Sequence, residues 1–569
     1  MEKNNTTPEK IFKDVNYNHY IVQYQGKVEE ELSKYEDVYL TIINSKYAIV
    51  SILSNLDFNN IQEENSTIVY IKPADMYTLQ AVAPVDAAQA RVLQLTLPLS
   101  LTGNGVNLAI IDTGIDYLNE EFMDSSGKTR IECIFDQTIF ESQPNKKVPF
   151  GTLYEKKQIQ SAINANREGK SPYDIVPSKD KIGHGTNMTG IIGGTGKNPN
   201  LKGVVPECNF VIVKLIEDIS YKKQFNVDIP VFNITSIFVA LEFLYNYALE
   251  SNKPMVIYFP LGTNLGNHKK PGILEQFIEL ICLNSSIAMV SGTGNERGNG
   301  THTSGIVQYG KTEVVELEVD SKQNQLWVEF WIDLANIMSL EIISPSGENT
   351  GIINPLINTT ISYKFIFEKT SVKINYYLPE ENTGDELIRI RFYDLQPGIW
   401  KFNLTGDVIL SGKYNAWIPQ KGITIGETKF SLADPYGTIT NPSNALGMIT
   451  TAAYDQNNNN ALKYSGMGFV DSYVSIIDVA AGGVNALTVG LNNKVDIVNG
   501  TSVSAAITAG ACAMLFQWGI VEGNDTYMHN QTLKTYLARG TVKRKGDSYP
   551  NPQWGYGILN IPLIFENMI

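Results

Sequence analysis

Three short segments of this chain hold residue types that together can do acid–base and nucleophilic chemistry. Ala109-Ile110-Ile111-Asp112-Thr113-Gly114 is an apolar run that ends in a carboxylate. Gly183-His184-Gly185-Thr186 sets one of only five histidines between two glycines. Asn499-Gly500-Thr501-Ser502-Val503-Ser504-Ala505-Ala506 puts Ser502 at the head of a run of small residues. A serine hydroxyl is a poor nucleophile until a base takes its proton. A histidine can take it and later return it to a leaving group. A carboxylate on the other side of the imidazole fixes its tautomer and stabilises the imidazolium. Taken singly, each segment has an ordinary reading. Asp-Thr-Gly occurs in many turns, a glycine-flanked histidine suits a loop, and a serine opening a helix is commonly an N-cap. The combination, in the order Asp112, His184, Ser502, is what singles them out.

A fourth segment, Ser291-Gly292-Thr293-Gly294-Asn295-Glu296, follows the apolar run Ile287–Val290 and carries an amide side chain, Asn295. The elements that must position these groups are legible around them. From Gly103 to about residue 300, apolar strands alternate with helical stretches: Val106–Ile111, Phe210–Leu215, Ile234–Ala248, Met255–Phe259, Gly272–Leu283 and Ile287–Ser291. That alternation predicts an α/β fold, a parallel sheet with helices on both faces. Such a sheet presents its active groups at the carboxyl ends of its strands, where Asp112 stands. Helical texture returns at Ser502–Trp518. Between about 305 and 435 the pattern is short strands punctuated by turns such as Ser344-Pro345-Ser346-Gly347, which predicts an inserted β-sandwich, a jelly roll. Its aromatics, among them Trp327, Trp331 and Trp400, are expected to fill a core of their own and to cover part of the surrounding domain. Ahead of all this, Tyr20–Tyr24, a helical stretch at Val28–Tyr35, a hairpin of Val38–Ile43 with Tyr47–Leu53, and Thr67–Ile71 predict a small α+β unit.

Composition excludes several classes. A net charge of −14 argues against a nucleic-acid binder, which carries a basic patch or stripe. The cysteines at 133, 208, 282 and 512 form no CxxC or Cys/His cluster, so no metal or other cofactor is expected, and all four are read as buried thiols. The first residues, MEKNNTTPEK, lack the apolar core of a secretory signal, and no apolar run is read as approaching the ~18 residues of a membrane span, so no signal peptide and no membrane partner are expected.

The four chemical segments resemble the subtilase family of serine proteases, which orders its triad Asp, His, Ser. On that resemblance Asp112, His184 and Ser502 are the catalytic triad and Asn295 is the oxyanion-hole residue. Three positions depart from the family pattern: Asn187 three residues after His184, Ala506 four after Ser502, and Pro260 before Leu261-Gly262. Asn187 and Ala506 have no proton-transfer role, and Pro260, which has no N–H to donate, is expected to alter main-chain pairing with a substrate. The separation of His184 from Ser502 (502 − 184 = 318) exceeds the roughly 157 of the subtilisin template, which leaves room for the insertion. Phe135-Asp136-Gln137-Thr138, Thr301-His302-Thr303-Ser304-Gly305, Gln517-Trp518-Gly519-Ile520-Val521, Tyr549-Pro550-Asn551 and Trp554-Gly555-Tyr556-Gly557 resemble the clostridial Csp germination proteases in particular. That resemblance implies a prodomain at 1–80, a subtilase domain at 81–304 and 436–569, and the jelly roll at 305–435 between its halves. It implies self-cleavage at Gln80–Ala81, with the cleaved prodomain kept as a partner. It also implies a spore location and a protein substrate, the proform of a cortex-lytic hydrolase. Some members of that group are catalytically silent signalling proteins; the complete triad here favours an active enzyme, with an occluded or silent signalling role as the alternative.

Overall fold

In Asn107–Asp112 (β1) every residue is buried, yet neighbours along the strand enter different cores. Leu108 and Ile110 belong to one apolar cluster, and Ala109 and Ile111 to another. The same split divides Phe210 and Ile212 from Val211 and Val213. Side chains alternate across a strand, so a strand that is apolar throughout must be covered on both faces. The computed structural model describes residues 11–568 apart from 12, 13, 15, 57, 59, 60, 62–64, 73–82, 96–98, 141–146 and 471–476. It divides into two compact units, Met1–Ala81 and Val82–Ile569.

In the larger unit the strands that follow β1 in the central sheet are Ile131–Asp136 (β2), Thr152–Glu155 (β3), Asn209–Lys214 (β4), Met255–Tyr258 (β5), Ile287–Gly292 (β6), Met448–Asp455 (β7), Val479–Gly482 (β8), Thr541–Val542 (β9) and Ile558–Leu559 (β10). Their order is β9-β10-β8-β7-β6-β5-β1-β4-β2-β3. The pairings from β10 to β2 are parallel; the edge strands β9 and β3 run antiparallel to their neighbours, as does the short Asn460–Ala461 that pairs with β7. Helices His184–Gly193 (α1) and Thr501–Phe516 (α4) pack on one face. Helices Ile234–Ser251 (α2) and Ile273–Cys282 (α3) pack on the other. This is the α/β sheet with helices on both faces that the alternation of elements predicts.

Helix α4 differs from the other three in being apolar all round, with every residue buried except Ser502. Among the described residues, Thr501–Val521 is the one helix long and apolar enough, by length and composition, to cross a membrane, and 89% of its apolar window is buried inside the fold. The expectation that no apolar run approaches that length is therefore corrected. Alanine, glycine, threonine and serine dilute the apolar character of the run, but they are the residues that let a helix lie close against a sheet and a neighbouring helix. All four cysteines are free and buried, as expected.

Residues 302–430 leave the central sheet and form two antiparallel sheets. One has the order His302–Ile306, Lys413–Trp417, Gln325–Ile332, Glu386–Tyr393, Ser371–Tyr377, Thr359–Lys364; the other has Ile337–Ile343, Gly398–Val408, Thr312–Val319, Lys429–Phe430. The first four strands in chain order fall alternately in one sheet and the other, and the two sheets share one core. Trp400 is wholly buried there, edge-on to Phe365 at 5.0 Å and Phe392 at 5.3 Å, with its ring N–H on the Gln396 carbonyl. Trp327 and Trp331 do not join it. The strand Gln325–Ile332 sends Leu326, Val328, Phe330 and Ile332 into this core, so period two turns Trp327, Glu329 and Trp331 to the opposite face. Trp331 packs with Leu387 and Trp417, and Trp327 packs against Phe225 and Tyr221 of the short helix Ile219–Phe225 in the surrounding unit. His302–Ile306 and Thr359–Lys364 are too polar to read as strands in sequence, and the first of them starts the sandwich ahead of residue 305.

The smaller unit is a four-stranded antiparallel sheet in the order Val38–Ile42, Tyr47–Leu53, Tyr17–Tyr24, Ile68–Lys72, with the helix Val28–Leu32. Val22, Val28, Leu32, Leu40, Val50, Phe58 and Ile61 form its core. The Gln80–Ala81 position lies outside the described residues.

Replacing Trp400 by alanine removes the largest side chain of the sandwich core, and aromatic-to-alanine changes at buried sites cost about 3–5 kcal/mol. Trp400→Ala is expected to lower the denaturant midpoint and to open the strand Gly398–Val408 to limited proteolysis; an unchanged unfolding curve contradicts this account of the core.

Candidate active site

Asp112 is the last residue of β1 and is 1% exposed. Its carboxylate faces the first residue of α1: His184 Nδ1 lies 2.7 Å from Oδ2 and 2.9 Å from Oδ1. The Thr113 N–H donates to Oδ1 at 2.7 Å. This approach depends on what is missing at Gly185. A Cβ there would stand 2.2 Å from the Gly114 carbonyl oxygen and 3.2 Å from Asp112 Cβ, so any side chain would push α1 away from the strand end. Gly114 itself turns the chain at φ +115°, a conformation that side chains resist.

A second carboxylate braces the pair. Asp180 is 7% exposed and accepts five hydrogen bonds, from the Ile182, Gly183 and Thr186 N–H groups and from the Thr113 and Thr186 hydroxyls. Thr113 in turn accepts the Gly185 N–H at 3.0 Å. Asp180 thus satisfies the start of α1, which has the left-handed Gly183 as its N-cap and no side-chain cap from that residue, and ties it to the turn after Asp112. Sequence reasoning passes over Asp180; its only signal is an acid four residues ahead of a helix start that otherwise lacks a cap.

Burial opposes the charged form of His184. The Asp112 charge and hydrogen bond, helped by the Asp180 charge, outweigh it, and the pKa of His184 lies above the ordinary imidazole value. The ring keeps 38% of its surface exposed, and among the described residues Nε2 has no hydrogen-bond partner. It is a base with one nitrogen oriented and the other available.

Ser502 is the second residue of α4 and the only one in that helix not buried. Gly500, at φ +136°, turns the chain into the helix. The buried hydroxyl of Tyr258, at the end of β5, donates to the Ser502 carbonyl at 2.9 Å. Burial and the nearby Asp112 charge hold that phenol protonated. Gly292, at the end of β6, lies so close to Thr501 that a Cβ would meet its carbonyl at 2.7 Å. Strands β1, β5 and β6 are neighbours, so Asp112, Ser502 and the Gly292–Asn295 turn gather at the carboxyl ends of the central strands. Among the described residues Ser502 is met by a hydrogen bond at its carbonyl and by none at its hydroxyl. Bonds to a hydroxyl of this kind often close only when substrate is present.

Asn295 meets the same helix start. The Thr501 N–H and hydroxyl donate to its Oδ1 at 3.3 and 3.2 Å. Two donors on one atom fix which end of the amide is which, and Nδ2 is left as a donor on an exposed residue. Ser502 and Asn295 line one pocket together with Pro260, Leu261, Gly262, Thr440 and Gln420. Asn187 is a stitch to the hairpin Ala486–Val498, donating to the Val489 carbonyl and to Asp496 at 2.9 Å each. Ala506 is buried in α4, and Pro260, two residues beyond β5, lines the pocket.

A model of the subtilase family matches residues 103–231 and 432–557, the two stretches that hold Asp112, His184 and Ser502. The protein is built around a subtilase domain. The structure of the Clostridium perfringens CspB protease matches with a TM-score of 0.75 and 28% identity, over 85% of this chain and 97% of that one. The epidermin leader peptide processing serine protease of Staphylococcus aureus matches with a TM-score of 0.41 and 12% identity, over 97% of this chain and 98% of that one. Sphericase matches with a TM-score of 0.43 and 13% identity, over 85% and 99%. No curated protein sequence matches. The subtilase domain is thus interrupted, between its two matched stretches, by the two-sheet region.

With five histidines in the chain, the His184 imidazole can be followed by NMR titration. Its midpoint is expected above about 6.5, the ordinary value. Asp112→Asn removes the counter-charge and leaves the burial, so the midpoint is expected to fall. A midpoint that does not move on this substitution contradicts the assignment of the shift to Asp112.

Proposed function

We propose that this subtilase is an active serine endopeptidase in which Asp112, His184 and Ser502 are the catalytic triad. The observation that carries the reading is the contact of His184 Nδ1 with a buried Asp112, its other nitrogen being without a partner among the described residues. His184 takes the Ser502 proton as Ser502 Oγ attacks a peptide carbonyl, and the proton then goes to the leaving amine. Asp112 holds the tautomer and stabilises the imidazolium. The Asn295 Nδ2 amide and the Ser502 N–H, at the positive end of α4, take the developing oxyanion.

In this reading residues 1–80 are a prodomain that the enzyme cuts from itself near Gln80–Ala81 and keeps as a partner. The division of the chain after Ala81 supports that boundary. The alternation of successive strands between two sheets supports a jelly roll as the insertion. The likeness to the CspB protease supports a role in spore germination, with the proform of a cortex-lytic hydrolase as substrate.

A fluorophosphonate probe is expected to label the wild-type protein at Ser502, because labelling needs an activated and reachable hydroxyl. Ser502→Ala is expected to abolish labelling, self-cleavage and cleavage of any protein substrate while the protein stays folded. A variant still shortened at the wild-type position assigns the cut to another protease. Amino-terminal sequencing of the large wild-type fragment is expected to begin within about five residues of Ala81. A start beyond Gly103, or an intact Met1 in active enzyme, contradicts the proposed maturation.

A further inference from the structure

The pocket beside Ser502 has one wall that does not come from the subtilase domain. Gln420 lies in the loop between Lys413–Trp417 and Lys429–Phe430, the last two strands of the insertion. Its side-chain amide donates to the Gly262 carbonyl at 3.2 Å, and its Oε1 faces the Asn264 N–H at 3.4 Å. Gly262 and Asn295 stand in the same pocket with Ser502, so the space Gln420 borders is the one next to the hydroxyl.

The loop that carries Gln420 is built to stay in place. Ile423 is buried among Phe225, Val227 and Val231 of the subtilase domain. The Thr424 hydroxyl donates to the Pro419 carbonyl, and Gln323 ties the loop to the sandwich through the Ile423 carbonyl and the Ile425 N–H. The Lys421 N–H donates to the buried Glu296 beside Asn295 at 3.1 Å. The segment opposite is clamped to the insertion as well. The fully buried Glu329 accepts the Gly266 N–H, and Asp385 accepts from both Asn267 and Lys270. Two rigid walls, one from each domain, thus meet across the Gln420–Gly262 hydrogen bond.

We propose that Gln420 is a specificity-determining residue: the insertion supplies through it a wall of the pocket that takes the substrate side chain next to the scissile bond, and its bulk limits the size of that side chain. The inference rests on the serine-protease reading above. A pocket wall acts by excluded volume, and a single methylene in such a pocket discriminates by about 10–200-fold.

The test uses the full chain and peptides that differ only in the residue before the scissile bond, alanine or phenylalanine. Gln420→Ala is expected to raise the phenylalanine-to-alanine ratio of kcat/KM about tenfold, while Ser502 still takes a fluorophosphonate label. Gln420→Met keeps the volume without the amide donor, and is expected to hold the ratio within about twofold of wild type. Should the alanine variant not fold, Gln420→Asn, one methylene shorter, makes the same comparison with an expected rise of about threefold. A labelled widening variant with an unchanged ratio overturns the inference. So does a methionine variant that behaves like the alanine one, because the hydrogen bond rather than the wall would then set the preference. A wild-type protein that takes no label overturns the serine-protease reading, and this inference with it.

Discussion

The contact between Asp112 and His184 is the constraint on which the candidate site depends. It joins the carboxyl end of a central strand to the first residue of a helix 72 positions away, and it fixes where α1 can lie on the sheet. Its cost is borne by neighbours that give up side chains or conformational freedom: Gly185 has no Cβ, Gly114 turns at positive φ, and Asp180 spends its oxygens on the helix start. A buried carboxylate without partners is several kcal/mol less stable than one in water. The Asp112 carboxylate is tolerable because the imidazole and the Thr113 N–H both meet it. Once α1 is set, α4 packs beside it on the same face, and Ser502 reaches the same strand ends.

Much of this was legible in the sequence, for identifiable reasons. The strands of the central sheet are short, apolar and separated by helical stretches, so their type and order follow from periodicity. Asp112, His184 and Ser502 stand out because glycines or small residues surround each of them, a signature of backbone packed too closely for side chains. What was not legible has a common cause, which is that pairing partners distant in the chain decide it. Asp180 reads as one more loop acid until the orphan N–H groups it satisfies are known. Thr359–Lys364 has no fully buried residue and so no apolar pattern. Gln420 sits in a turn-rich loop and meets Gly262 only after the whole insertion has folded. The tryptophans show the limit of composition: Trp400 enters the sandwich core, whereas Trp327 and Trp331 lie on the outer side of a strand whose two faces are both apolar.

That two-faced strand, Gln325–Ile332, explains how an inserted domain becomes part of the body that carries it. One face completes the sandwich. The other offers Trp327 to Phe225 and Tyr221, and Glu329 to the Gly266 backbone. Glu329 is also met by Arg389 and by the Trp331 ring N–H. A carboxylate so enclosed is stable only while all three donors are present, so the polar contact fixes the geometry that the apolar contacts alone would leave loose.

The burial of α4 has a consequence in time. Its side chains are small and face protein on every side, so it has no amphipathic face of its own, and it gains its stability from the sheet and α1 rather than from itself. It is also encoded after the insertion. On a ribosome, Asp112 and His184 are released well before Ser502 exists, and the serine then waits on its helix being received by the sheet and α1. Until that helix docks, the Asp112–His184 pair stands at the strand ends with no Ser502 hydroxyl beside it.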